Sequence, residues 1–155
     1  MGRFGLYLRV LPVAVMLTGA AMAGGTPAAP SVPDAQLAPV MEAQWQDVIT
    51  RQIEAFRAHD AAGAFQYAAA PFQTAFPSAE AFFVAIIGSG YAPIMESTSH
   101  SFGEFTRLDE HSIAQEVTLT GTDLTRFAAI YVLTEEESGW RVSGVQLAKT
   151  PGVSI

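Results

Sequence analysis

The 155-residue sequence contains no cysteine. That excludes disulfide staples, thiolate nucleophiles, cysteine-ligated metal centres and a lipidated N-terminal cysteine. Basic side chains are scarce as well, eight against fifteen acidic ones, for a formal charge of −7. A surface of that sign repels phosphate backbones and anionic lipid headgroups, so neither nucleic acid nor a membrane surface is an expected partner. Motifs of known chemistry are missing too: there is no His-Glu-x-x-His pair, no carboxylate-rich calcium loop and no phosphate-cradling loop with its lysine. Gly88-Ser89-Gly90 superficially resembles a serine elbow, but Ile87 and Tyr91 stand where that turn needs glycines. It reads instead as a helix stop followed by a turn. What remains is a chain that is 50% hydrophobic and 15% charged, the composition of one ordinary globular domain.

The first 23 residues have the grammar of a signal peptide: Arg3 and Arg9 without an acid, a short apolar stretch from Val10, and Ala21-Met22-Ala23 as a small-x-small cleavage site. The apolar run is shorter than the roughly 20 residues a spanning helix needs, contains Pro12 and stops at Gly24-Gly25. Export to the periplasm or the medium, with the leader (1–23) removed, is therefore expected. The remaining six basic and fifteen acidic side chains would carry −9. Residues 24–39 hold four prolines and no apolar period, which predicts a disordered tether rich in Pro, Ala and Gly. The folded domain is expected over 40–150.

From Val40 onward the apolar residues Met41, Trp45, Val48, Ile49, Ile53 and Phe56 recur at helical spacing, with Asp47 and Arg51 as an i,i+4 pair on the polar side. His59-Asp60 ends this helix, and Asp60 can cap a second, alanine-rich helix through about Ala69 with Phe65 as anchor, stopped by Pro71. Ser78 caps a third helix, Ala79 to Ile87, before Gly88. Beyond Pro93 the period becomes two, and 94–108, 111–121, 125–135 and 139–148 read as strands joined by short turns, hence an antiparallel meander. In the second strand Ile113, Gln115, Val117 and Leu119 share a face. The third, Phe127 to Leu133, is apolar on both faces and should be central. In the fourth, Trp140 and Val142 have one parity and Val145 and Leu147 the other, so a β-bulge is predicted at Ser143-Gly144. The class is α+β: three N-terminal helices on the concave side of a curved four-stranded antiparallel meander.

The order of these elements, with Ile53-Glu54-Ala55-Phe56-Arg57-Ala58, the Ala-Phe-Gln-Tyr-Ala stretch at 64–68, Gly90-Tyr91-Ala92-Pro93, Gln115-Glu116-Val117 and Gly139-Trp140-Arg141-Val142-Ser143-Gly144, resembles a bacterial family known as domain of unknown function 4864. The likeness covers about residues 45–150. That family is in turn similar to the nuclear-transport-factor-like and polyketide-cyclase-like superfamily, which implies a cystatin-like cone of helices and curved sheet with an internal pocket. Enzymes of the superfamily place Asp and His inside the cone. No residue here matches such a motif, so no catalytic role is carried over.

Candidate site residues are few. The three histidines read as solvated or capping groups, and His100 and Glu104, about 13 Å apart along one strand, cannot share an ion, so no metal is expected. No cofactor motif occurs. Glu135-Glu136-Glu137 reads as a solvated turn. Strand parity offers Gln115 as an inward amide, either a satisfied core group or a ligand contact, with Tyr67, Tyr91 and Tyr131 as pocket or rim hydroxyls. Phe82 and Phe83, with Phe72 and Phe76, form either core or an apolar ligand wall or dimer face. Glu116 would serve as a base only if the inward face were the opposite one. These residues point to a non-catalytic exported binding module for a small apolar ligand or a protein partner. The alternatives are a small lyase, isomerase or hydrolase built on the cone, or a structural homodimer meeting through the third strand.

Overall fold

Trp45, Ile49, Ile53 and Phe56 follow one another at steps of three and four, and all four are buried on one face of helix α1 (Asp34–Arg57). The computed structural model describes residues 34–149, with side chains from 41 to 148; the expected leader and residues 24–33 lie outside them. All described residues belong to one compact unit, Val32–Ile155. Helix α1 starts earlier than the boundary at Val40, so residues 34–39 of the expected tether are helical. The sequence spacing Leu37, Met41, Trp45 carries the same step of four upstream, and the helix tolerates Pro39 at the loss of one backbone bond.

His59, in the left-handed region at φ 56°, turns the chain out of α1. Asp60 then caps α2 (Ala61–Gln66), its carboxylate accepting from the Gly63 amide at 2.9 Å. The second helix is shorter than expected, and Pro71 does not stop it. Pro71 sits instead in the first turn of a separate helix, α3 (Ala70–Ala75), where a missing N–H has no intrahelical partner to lose. The link between α2 and α3 runs beside the last strand: Val142 N–H donates to Tyr67 C=O at 2.8 Å and Ala69 N–H to Val142 C=O at 2.9 Å. A sheet edge that would otherwise be open is thus covered.

Ser78 caps α4 (Ala79–Ile86), as its sequence predicts, but Gly88 does not end the helical path. A wide turn (Ile87–Tyr91) continues it, the break comes at Gly90 with φ 99°, and a short α5 (Ala92–Glu96) follows with Pro93 in its first turn. The first strand therefore begins at Ser97, later than the expected residue 94.

The strands β1 (Ser97–Arg107), β2 (Ser112–Gly121), β3 (Arg126–Glu136) and β4 (Gly139–Lys149) pair in sequence order, all antiparallel, with β3 interior. On β2 the buried face is Ile113, Gln115, Val117 and Leu119, which meets Ala129, Tyr131 and Leu133 of β3. Val132 pairs with Gly144 and Leu133 with Val142, leaving Ser143 as the extra residue of a bulge. That one residue puts Trp140, Val142, Val145 and Leu147 on the same face, all packed on the core. The molecule is accordingly α+β, with helices over one face of a curved four-stranded antiparallel sheet. Among the described residues, no helix is long and apolar enough to cross a membrane.

Candidate functional site

The core face of the sheet is mostly apolar, so its polar atoms are the informative ones. Gln115 is fully buried, and its amide is consumed within the chain. Its Oε1 accepts from Trp45 Nε1 at 3.0 Å and from Gln46 Nε2 at 3.4 Å. Its Nε2 faces the carbonyls of Gly103 (2.9 Å), Glu104 (3.2 Å) and Glu116 (3.0 Å). Gly103 and Glu104 fall where β1 slips register against β2, so the ladder does not bond all their carbonyls and the glutamine supplies the missing donor. One side chain thereby ties α1 to an irregular edge strand.

Tyr131, the cross-strand neighbour of Gln115, differs from it. The residue is 1% exposed, and among the described residues its hydroxyl has no hydrogen-bond partner; Trp140 Nε1 shares that condition. Burial holds the phenol well above its ordinary pKa, opposed by the positive charge of Arg57. It is therefore a neutral donor and no base.

Arg57 belongs to a polar cluster between α1 and β1 that strand parity and helical spacing did not single out. Thr50, Glu54 and Arg57 follow one another at i, i+4 and i+7, a second stripe on α1 beside the apolar one. Arg57 Nε and Nη2 donate to Ser97 Oγ at 3.1 and 3.0 Å, and Nη2 lies 3.4 Å from His100 Nδ1. The other ring nitrogen, Nε2, is 3.0 Å from Thr50 Oγ1. An arginine has no lone pair to offer, so Nδ1 must accept and the proton sits on Nε2, pointing at Thr50. Ser97 Oγ donates in turn to Ile94 C=O at 2.8 Å. Burial first, then Arg57, lowers the His100 pKa, which keeps the ring neutral. Desolvation likewise lowers that of Arg57, with Glu54 and Tyr131 opposing.

The other expected site residues are engaged elsewhere. Tyr67, half-buried, touches the Arg51 guanidinium, whose charge is stabilised chiefly by Asp47 at 2.7 Å. Tyr91 donates its hydroxyl to Val145 C=O at 2.8 Å, fastening the wide turn to β4. Phe82 is the hub of an aromatic cluster, 5.1 Å from Phe65, 5.5 Å from Phe76 and 6.2 Å from both Phe56 and Phe72. Phe83 stacks on Phe56 at 5.4 Å. The six residues thus form no single pocket: Gln115 and Tyr131 lie side by side, Phe82 and Phe83 share α4, and the remaining tyrosines stand apart. Glu116 is exposed on the opposite sheet face, which removes it as an inward base. Glu136 departs from the solvated turn expected of it, since its Oε1 accepts from the Ala70 amide at 2.8 Å and caps α3 across the fold. Ser89 bonds back to Ala85 C=O at 2.6 Å, as a helix-end serine does. No group of three or more potential metal ligands occurs among the described residues.

Clefts on the surface include one of about 420 Å³ between α2, α3 and the β3–β4 turn. Another, of about 490 Å³, lies beside α5 and the β2–β3 turn. Neither is lined by Tyr131 or Arg57.

An α+β domain with a buried, partly unsatisfied polar core defines a fold class without dictating a reaction. The chain belongs to the family described as Domain of unknown function (DUF4864), whose profile matches residues 40–155. No curated protein matches the sequence. Among solved structures, the chain is similar to an NTF2-like protein of unknown function from Shewanella baltica, at 10% identity over 79% of this chain and 100% of that one, with a TM-score of 0.49. A second NTF2-like protein of unknown function, from Silicibacter pomeroyi, matches at 10% identity over 73% and 98%, with a TM-score of 0.47. A domain of unknown function with a cystatin-like fold from Nostoc punctiforme matches at 10% identity over 79% and 81%, with a TM-score of 0.45.

Proposed function

We propose that this chain is an exported, non-catalytic binding module that takes a small ligand between α1 and the core face of the sheet. The observation that carries this reading is the Tyr131 hydroxyl, a hydrogen-bonding group deep in the core with no partner among the described residues. Such a group costs about 1–3 kcal/mol when left unsatisfied, so its retention on a fully buried face favours a partner from outside. Binding is favoured over catalysis because the tyrosine is held neutral and the one carboxylate of the Gln115-Glu116-Val117 stretch points away from the core. Export rests on the leader, Met1 to Ala23. The test is native mass spectrometry of the exported protein, beside a Tyr131→Phe variant. A small-molecule adduct in the parent that is lost in the variant, with the variant at least as thermally stable, supports the reading. An adduct-free parent and a destabilised variant would overturn it, because the hydroxyl would then have a structural partner.

A second reading rests on the outer face of the sheet, where Ala114, Val132 and Gly144 lie in one row and Glu116, Ile130 and Gln146 in the next. Ile130 and Val132 are only half-buried there. A protein partner, or a second copy of the chain, would cover these side chains, and sedimentation over a wide concentration range tests the homodimer.

A further inference from the structure

Glu136 and Arg141 carry opposite charges on one face of the β3–β4 hairpin. Thr134 pairs with Arg141 and Glu136 with Gly139, which makes the two charged residues diagonal neighbours, about 7–8 Å apart at the backbone. They form no ion pair with each other; those among the described residues are Arg51 with Asp47 and His111 with Glu135. Each is held by backbone groups instead. Arg141 Nη1 donates to Trp140 C=O at 2.7 Å and Nη2 to Ser138 C=O at 3.2 Å, while Glu136 Oε1 accepts from the Ala70 amide at 2.8 Å. Trp140 has the strand parity of Val142, whose N–H and C=O face the link between α2 and α3, so the Trp140 carbonyl looks the same way and the guanidinium bound to it stands over that edge. Both charges thereby line the cleft of about 420 Å³ between α2, α3 and the β3–β4 turn.

The floor of this cleft is apolar and its rim polar. Phe65, half-buried, packs against Phe82 at 5.1 Å, and its remaining surface lines the cleft beside alanines of α2, α3 and α4. Gln66 makes no side-chain hydrogen bond among the described residues. Gln73 donates through Nε2 to Phe65 C=O and Ala68 C=O, which leaves its Oε1 unspent, as are the second oxygen of Glu136 and part of the Arg141 fork. The volume falls at the small end of the range, about 300–1,000 Å³, that small-molecule sites occupy.

The paired charges select the ligand. A plain anion would meet Glu136 and the net charge of −7, and a plain cation would meet Arg141. A zwitterion gives each group its complement as a charge-assisted hydrogen bond, and its neutral total is not repelled at long range. An apolar body attached to it would cover the open part of Phe65.

We infer that this cleft binds a free α-amino acid with an apolar side chain, its carboxylate on Arg141, its ammonium on Glu136 Oε2 and its side chain on Phe65. The cleft lies apart from Tyr131, so its ligand is independent of the one proposed between α1 and the sheet.

The experiment titrates the full chain with L-phenylalanine, with its N-acetyl derivative and with its amide, by calorimetry and by the NMR signals of the Gln66 and Gln73 side-chain amides. The amino acid is expected to bind at least about tenfold more tightly than either derivative, since each lacks one charged contact, and to move both glutamine signals. Glu136→Gln keeps an oxygen for the Ala70 amide and is expected to abolish the preference over the N-acetyl derivative alone. Arg141→Gln is expected to abolish the preference over the amide alone, and Arg141→Lys to restore part of it. The comparison of probes on the parent protein needs no variant, so poor folding of a variant leaves the question answerable. Equal binding of all three probes, a preference over only one derivative, or no binding at all would overturn the zwitterion site. So would binding that moves the Trp140 indole signal and neither glutamine. The binding module between α1 and the sheet is untouched by any of these results, being tested by its own adduct and Tyr131→Phe.

Discussion

Replacing Gln115 by methionine isolates the polar work of the most heavily hydrogen-bonded buried side chain. Methionine fills a similar volume, so the packing change alone costs less than about 1.5 kcal/mol. The hydrogen-bond loss falls chiefly on one of its five partners. Trp45, 1% exposed, is left with a buried indole N–H and no acceptor, at a cost of about 1–3 kcal/mol. Gly103 and Glu104 are exposed edge residues, and their carbonyls can turn to water, so they contribute little. The expected loss is about 2–3 kcal/mol, a large share of a typical domain stability of about 5–15 kcal/mol, leaving a protein that still folds. Denaturant unfolding followed by far-ultraviolet circular dichroism measures it. A double-mutant cycle with Trp45→Phe isolates the bond, because removing the orphaned donor should recover about 1 kcal/mol or more of the loss. Stability of Gln115→Met within about 0.5 kcal/mol of the parent, or strict additivity with Trp45→Phe, would refute this account of how α1 is tied to the sheet.

Phe82→Ala removes the ring that touches Phe56, Phe65, Phe72 and Phe76, and should cost about 3–5 kcal/mol by thermal or chemical denaturation. Deleting Ser143 removes the extra residue and leaves a regular ladder in which Val145 and Leu147 keep the core face, at the loss of the Ser143 hydroxyl's bonds to Val132 C=O and Thr134. The expected result is a variant that still unfolds cooperatively, and loss of cooperative unfolding with binding of a hydrophobic dye would contradict the register. His100 is held below its unfolded pKa by burial and by Arg57, with Glu54 opposing, so the unfolded chain takes up its proton first as pH falls. Stability should therefore decline as pH drops through the ordinary histidine range near about 6.5, and the His100→Gln variant should show a shallower decline. Denaturation midpoints at several pH values for both proteins check this.

Much of the fold is legible in the spacing of apolar residues, because a helix and a strand impose periods that a single sequence displays. The face of α1, the inward set Ile113, Gln115, Val117 and Leu119, the interior place of β3, and even the bulge at Ser143 all follow from parity. Helix ends are less legible. Pro71 and Pro93 read as breaks, yet each begins a short helix, since a first turn needs no proline N–H and only the contacts of the finished fold decide whether a turn forms there.

The candidate site divides in the same way. Parity in the sequence points Gln115 inward, whereas Tyr131, on a strand apolar on both faces, is there only one of three pocket or rim candidates. Only the tertiary structure decided that the glutamine is satisfied by Trp45 and by an irregular edge while its tyrosine neighbour is not. It also decided that Arg57 of α1 meets Ser97 and His100 of β1, both distant from it in the chain. Hydrophobic periodicity records which side of an element is covered; which polar atoms then find one another depends on the angle and offset at which elements pack, and no local pattern encodes that.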